Sequence, residues 1–157
     1  MKTFHRMLIV AAAVSFAACA QRPAHWVRLY DVDKVHSIDK SLTKEQITRA
    51  VLEGAEDAGW RAKDVGDGRI LATYSVRVHT VNVEITIGDD TYDTRYRSST
   101  GMKVYCSWED KQKHRSIKVT GRDDCPNEAD PAFIHYGYKR WVDSLNNSIR
   151  LSLASVQ

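Results

Sequence analysis

Three arginines and one glutamate at alternating positions are the first chemistry this sequence offers. Arg77, Arg95 and Arg97 fall with Glu84, Thr73 and Ser75 on the polar side of an alternating stretch, with His79 at its edge. A guanidinium fork grips carboxylate or phosphate through two parallel hydrogen bonds, so this set could hold an anion such as a carboxylate or a lipid phosphate. The same pattern also describes a solvated sheet face whose charges serve solubility and edge protection. His135, beside Tyr136 and Tyr138, is either a contact for a partner or a helix-start histidine satisfied by a backbone carbonyl. A metal site from His79, His114 and His135 would need three distant segments to converge, and none is expected. Asp89-Asp90 beside Asp93 lacks the spacing of a calcium loop and reads as a hairpin tip. The chain has no Gly-x-Ser-x-Gly elbow, no phosphate-cradling glycine loop and no His-Glu-x-x-His helix. The expectation is a non-enzymatic chain with no catalytic residue and no cofactor. Its candidate binding surface is Arg77, His79, Glu84, Arg95, Arg97 and His135.

Those residues need a sheet to hold them. Apolar side chains recur at every second position through Ile70, Ala72, Tyr74, Val76 and Val78, then one step out of phase at Val81, Val83, Ile85 and Ile87. Period two over such runs predicts half-buried strands. The slip is a turn or a bulge, because a one-residue shift sends every side chain to the other face. A two-residue turn at His79-Thr80 would pair Val78 with Val81, Val76 with Val83 and Tyr74 with Ile85; a bulge in one long strand is the alternative. A second turn at Gly88–Thr91 leads to a third strand with Tyr92 and Tyr96, and more weakly Thr94 and Ser98, on the core face. That register sets Ile87 opposite Tyr92, Val83 opposite Tyr96 and Glu84 opposite Arg95.

Two helices are expected to cover this sheet. Thr43 to Gln46 fits a capping box, with Leu42 and Ile47 as its hydrophobic staple. Ile47, Ala50, Val51, Gly54, Ala55 and Ala58 then share one helical face, and Gly59 is placed to end the helix, with Trp60 packing back. Residues 64–69 read as the loop into the first strand. The last helix follows the Asp130-Pro131 pair and is firm from Tyr138. It carries Tyr138, Trp141, Val142, Leu145, Ile149 and Ser152 inward, with Arg140, Asn146 and Arg150 outside. The expected architecture is α+β and two-layered, an antiparallel three-stranded meander flanked in sequence by two helices packed on one face, in the order α-β-β-β-α. Residues 26–32 alternate weakly enough that an edge strand there is left open.

The 157 residues allow one domain, expected over residues 42–157, with 43% hydrophobic and 27% charged residues. A polar excursion spans residues 106–130. Residues 1–18 read as a signal peptide: Lys2, His5 and Arg6, then an apolar run from Met7 to Ala18 too short to span a bilayer. Phe16-Ala17-Ala18-Cys19 resembles the lipobox of bacterial lipoproteins, although Phe16 departs from its usual leucine. The resemblance implies lipidation at Cys19, a tether over residues 19–41 and, from Ala20, the periplasmic face of the outer membrane. Ordinary cleavage with a free Cys19 is the alternative. Of 23 basic residues, Lys2 and Arg6 leave with the signal, so 21 face 20 acidic ones. Such a balance excludes a nucleic-acid footprint. Cys106 and Cys125 are either a disulfide, which would stabilise by roughly 3 kcal/mol, or two free thiols.

Ile70-Leu71-Ala72, Arg77-Val78-His79, Val81 to Ile85, Tyr92 to Tyr96, Ile134-His135, Tyr138 to Val142 and Leu145 together resemble small uncharacterised lipoproteins of Gram-negative bacteria. That resemblance covers roughly residues 42–154 and implies no established activity. The expected function is a non-enzymatic module of the cell envelope, anchored to the membrane by its N-terminal lipid and meeting a protein partner or an assembly there. The alternative is a module for a small anionic ligand, a lipid headgroup or a peptidoglycan fragment.

Overall fold

A computed structural model describes residues 25–113 and 132–156. The signal peptide, Cys19, His114, Cys125 and the Asp130-Pro131 pair lie outside the described residues, as does most of the polar excursion. In chain order come β1 (Trp26–Arg28), a 3-10 turn (Leu29–Asp31), β2 (Lys34–Ser37), α1 (Lys44–Asp57) and β3 (Arg61–Gly66). Next are β4 (Arg69–Val76), β5 (His79–Ile87), β6 (Thr91–Thr100) and β7 (Val104–Tyr105). A short helix α2 (Trp108–Gln112), β8 (Phe133–His135) and the long α3 (Tyr136–Ser155) complete the chain.

The strands form two antiparallel sheets, a five-stranded one in the order β2-β6-β5-β4-β3 and a three-stranded one in the order β1-β8-β7. The expected α-β-β-β-α layout is thereby overturned: eight strands replace the single meander of three. Its three strands do exist, as β4, β5 and β6, but an edge strand is added on each side. The physical reason is that β2 and β3 are almost wholly exposed. A strand held at the edge by backbone hydrogen bonds need not alternate in hydrophobicity, and these do not. Residues 64–66, expected as part of the loop into the first strand, belong instead to β3. Residues 26–37, assigned to the tether, supply strands to both sheets.

The β5–β6 hairpin has the predicted register, Ile87 to Tyr92, Glu84 to Arg95 and Val83 to Tyr96. A bulge between Asn82 and Val83 then shifts the pairing, so Ser99 rather than Ser98 faces the core opposite Val81. The β4–β5 register differs from expectation. Ile70 pairs with Ile85, Ala72 with Val83 and Tyr74 with Val81. The turn is therefore Arg77-Val78, two residues earlier than His79-Thr80, and Val78 stands 77% exposed instead of in the core.

Both helices begin where a side chain can satisfy free amides. The Thr43 hydroxyl accepts from the Gln46 amide, and the Gln46 side chain accepts from the Thr43 amide, completing the capping box. Gly59, at a φ of 79°, ends α1, and the Trp60 amide donates back to the Ala55 carbonyl. At the other helix the predicted start is corrected: His135 is the N-cap of α3, its Nδ1 accepting from the Gly137 amide at 3.0 Å. Ile47, Ala50, Val51, Gly54 and Ala55 of α1 are buried with Tyr138, Val142, Leu145, Ile149 and Leu153 of α3. They join Ile70, Ala72, Val81, Val83, Ile85, Tyr92 and Tyr96 of the sheet in one core.

One position on α3 contradicts its sequence reading. Asn146, expected outside, is buried, and its side-chain oxygen accepts from the buried Thr94 hydroxyl at 2.8 Å. The Tyr92 hydroxyl donates to the Asn146 carbonyl at 3.2 Å. A buried polar group is tolerated when its partner is supplied, and the sheet supplies it here.

The two helices meet backbone to backbone. A Cβ added at Gly54 would lie 2.6 Å from the Ile149 Cα and 2.9 Å from the Ser148 carbonyl oxygen. Gly54→Ala is therefore expected to destabilise by roughly 2 kcal/mol in denaturant unfolding, although alanine is the better helix former. An unchanged or raised midpoint would show that the helices are not packed this closely.

Candidate functional site

The sequence-predicted surface divides between two places. Glu84 sits on the open face of the five-stranded sheet, mostly buried beneath Arg97 at 3.7 Å and Arg69 at 4.0 Å. Arg95 faces Glu84 in register but bonds to Asp93 instead, Nε to Oδ2 at 2.5 Å. Beside them runs a neutral ladder: the Thr73 hydroxyl donates to Asn82 Oδ1 at 2.7 Å, and Asn82 Nδ2 donates to the Ser98 hydroxyl at 3.0 Å. Each arginine of this group thus has a carboxylate of the same sheet within 4.0 Å, with Glu84 shared between Arg69 and Arg97. At the hairpin tip, Asp90 and Asp89 pair with Lys40 at 3.3 Å and Lys44 at 3.7 Å.

Arg77, His79 and His135 are brought together elsewhere. They line a cavity of about 680 Å³ with Trp26, Val76, Gly101, Met102, Lys103, Gly137, Arg140 and Trp141. Its position follows from the topology. The β4–β5 turn forms one wall, the link from β6 to β7 a second, and β1, β8 and the start of α3 the third. The cavity therefore opens where the small sheet meets the end of the large one. A volume of this size suits a small organic ligand.

No carboxylate is among the lining residues, whereas Arg77, Lys103 and Arg140 all are. Among the described residues, none of these three cations has an ion-pair partner. The amino-terminal end of α3 adds its positive partial charge. A concave wall of one charge sign concentrates field lines and draws counter-ions.

The aromatic lining is also specific. Trp26 lies edge-on to Tyr105 at 5.0 Å and to His135 at 6.0 Å. Trp141, expected as core, is only partly buried; it packs on Tyr74 at 5.4 Å and reaches toward His79 at 6.3 Å. His79 Nδ1 is buried without a hydrogen-bond partner among the described residues. His135 uses Nδ1 to cap α3, so its remaining proton resides on Nε2, leaving that nitrogen as a donor. Burial holds the His135 pKa below the usual histidine value, and His25 and His79 depress it further.

The turn that carries Arg77 is built against local preference. Arg77 has a φ of 55°, a left-handed conformation that hairpin turns normally give to glycine or asparagine. Gly101 is forced, at a φ of 75°, because a Cβ there would collide with the Val78 carbonyl. Residues in such conformations cluster at working sites, where function outweighs local strain.

The sequence pointed to Arg77, His79 and His135 but not to their companions. Trp26, the adjacent Met102 and Lys103, and Arg140 lie on three separate segments with no spacing in common. Only the Arg77-Val78 turn offered a signal, since it breaks a turn rule.

Two outcomes follow. Arg77→Gly should raise thermal stability by about 0.5–1 kcal/mol by relieving the positive φ. A clear loss of stability would show that the guanidinium supports the fold. For His135 the folded-state pKa is depressed, so its helix cap stabilises fully above pH 6.5, the unfolded value, and is lost as pH falls through the folded value. An NMR titration should put its midpoint below 6.5, and His135→Asn should flatten the acid limb of the stability curve. A midpoint above 6.5 would refute the cap.

No family model matches the chain, and neither a curated protein nor a solved structure matches it.

Proposed function

We propose that this chain is a non-enzymatic binding module of the bacterial envelope that takes a small anionic ligand in the cavity between its two sheets. One observation carries this reading: Arg77, Lys103 and Arg140 line one cavity, and among the described residues no carboxylate stands in its wall or pairs with them. Guanidinium and ammonium groups left unpaired in a concavity favour a phosphate or carboxylate that completes their hydrogen bonds. The indoles of Trp26 and Trp141 offer flat apolar surface to the uncharged part of such a ligand.

The first expectation, a protein-interaction module, rested on a well-specified scaffold without a catalytic constellation, and the ligand alternative placed its anion on the arginine-bearing sheet face or between sheet and helices. On that sheet face Arg95 pairs with Asp93 and Arg97 with Glu84. The geometry therefore favours the cavity over the sheet face as the place for an anion. The lipobox-like Phe16-Ala17-Ala18-Cys19 supports an outer-membrane address on the periplasmic side, with acylated Cys19 as the anchor. No helix among the described residues is long and apolar enough to cross a membrane. The oxidising compartment would suit a Cys106–Cys125 disulfide.

Isothermal titration of the full chain with glycerol phosphate and with a sugar phosphate is the direct test. Both should bind, and glycerol and the unphosphorylated sugar should not. Lys103→Glu with Arg140→Glu should weaken binding by about 10–100-fold, the value of one to two charge-assisted hydrogen bonds. Absence of heat with every anion, or binding that survives the charge reversal, would remove the reading.

A further inference from the structure

The same cavity has a second property, its distance along the chain from the expected anchor. Trp26 lines it and is only seven residues beyond Cys19. Seven residues of fully extended chain reach at most about 25 Å. If Cys19 carries the lipid, the cavity mouth is confined to a thin layer above the membrane.

What stands around that mouth fits a membrane surface. Val78, beside Arg77 at the tip of the β4–β5 turn, is 77% exposed, the most exposed large hydrophobic residue described. Val is an unfavourable choice for a solvated turn, and its place is normally taken by small polar residues. Trp26 is partly exposed on the same cavity. Indoles prefer the interfacial layer, where an apolar ring and a polar N–H are both satisfied. Arg77, Lys103 and Arg140 supply charge opposite to that of anionic lipid headgroups.

We infer that the cavity receives the phosphate headgroup of an anionic lipid from the membrane that holds the acylated Cys19, with Val78 and Trp26 seated in the interface. This rests on the anion-binding reading above and on lipidation of Cys19, and it names the source of the anion. The acyl chains already anchor the chain, so the role of the clamp is orientation: it fixes the domain mouth-down on the bilayer.

Full chain carrying Cys19→Ala, so that no acyl group contributes, is sedimented with vesicles of phosphatidylcholine alone and of equal parts phosphatidylcholine and phosphatidylglycerol. Partition into the anionic vesicles should exceed that into neutral ones by at least about tenfold and should fall steeply with salt. Lys103→Glu with Arg140→Glu should abolish the difference. Val78→Asn, a neutral residue that suits the turn and leaves the cavity cations unpaired, should weaken vesicle binding while glycerol phosphate binding stays unchanged. If glycerol phosphate binds but the two vesicles are bound equally, the lipid inference is overturned and the anion reading stands. If neither binds, both fall. A preference for anionic vesicles that persists after the charge reversal would place the contact elsewhere and also overturn the inference.

Discussion

Two helices lying side by side set the width that the sheet must have. Packed helices stand about 8–10 Å apart, so a pair covers roughly 20 Å. Strands are spaced about 4.8 Å apart, so three cover roughly 14 Å and five roughly 24 Å. A three-stranded meander would leave the outer part of the helices' apolar stripes in water. Adding β2 beyond β6 and β3 beyond β4 brings the sheet to the required width. Gly54 allows α1 and α3 to close to backbone contact, so that the pair just fits. Because β2 precedes α1 and β3 follows it, the helix must cross the whole sheet from one edge to the other.

Two polar knots hold α3 in register on that surface. In one, Thr94 and Tyr92 of β6 bond to the side chain and carbonyl of Asn146. Burial pushes the Tyr92 phenol up to about 12, against a smaller opposing pull from Arg150, so it stays a donor throughout the physiological range. In the other, Asp33 Oδ1 accepts from the Tyr138 hydroxyl at 3.4 Å and from the Tyr96 amide at 3.3 Å, while the two rings meet edge to face. The segment before β2 is thus tied to β6 and α3 together. Hydrogen bonds of this kind contribute little net energy each, but an unmatched alternative would leave buried groups unpaired. They select one position of α3 over its neighbours.

The cavity is a by-product of joining two sheets of unequal size. Where the small sheet β1-β8-β7 leaves the end of the large one, backbone cannot fill the gap, and side chains from four segments surround it. Its chemistry is not that of a leftover space. Arg77 accepts a left-handed backbone, Gly101 is held without a side chain, and His135 divides its two nitrogens between a helix cap and the cavity. Arg77 departs from what stability alone would favour at its position, while Gly101 and His135 are what their positions require.

Local pattern was enough to read the capping box at Thr43, the glycine stop at Gly59, the buried faces of both helices and the β5–β6 hairpin, because each rests on contacts within a few residues or on period-two burial. It was enough to find Arg77, His79 and His135 as chemically capable groups, though not to separate them from Glu84, Arg95 and Arg97. The edge strands escaped detection, even though Asp67-Gly68, at φ values of 56° and 70°, forms a favoured hairpin turn between β3 and β4. Exposed strands carry no alternation, and their partners lie far away, as β2 and β6 do. Asn146 was misplaced for the same reason: its burial depends on Thr94, a contact 52 residues distant that no helical period encodes. Sequence alone determined the two main helices and the central strands, and marked Arg77, Arg95 and Arg97 as side chains able to bind an anion. Only the tertiary structure decided which side chains keep their charge free, because that depends on whether folding brings a carboxylate beside them: among the described residues it does so for Arg95 and Arg97 and not for Arg77, Lys103 and Arg140.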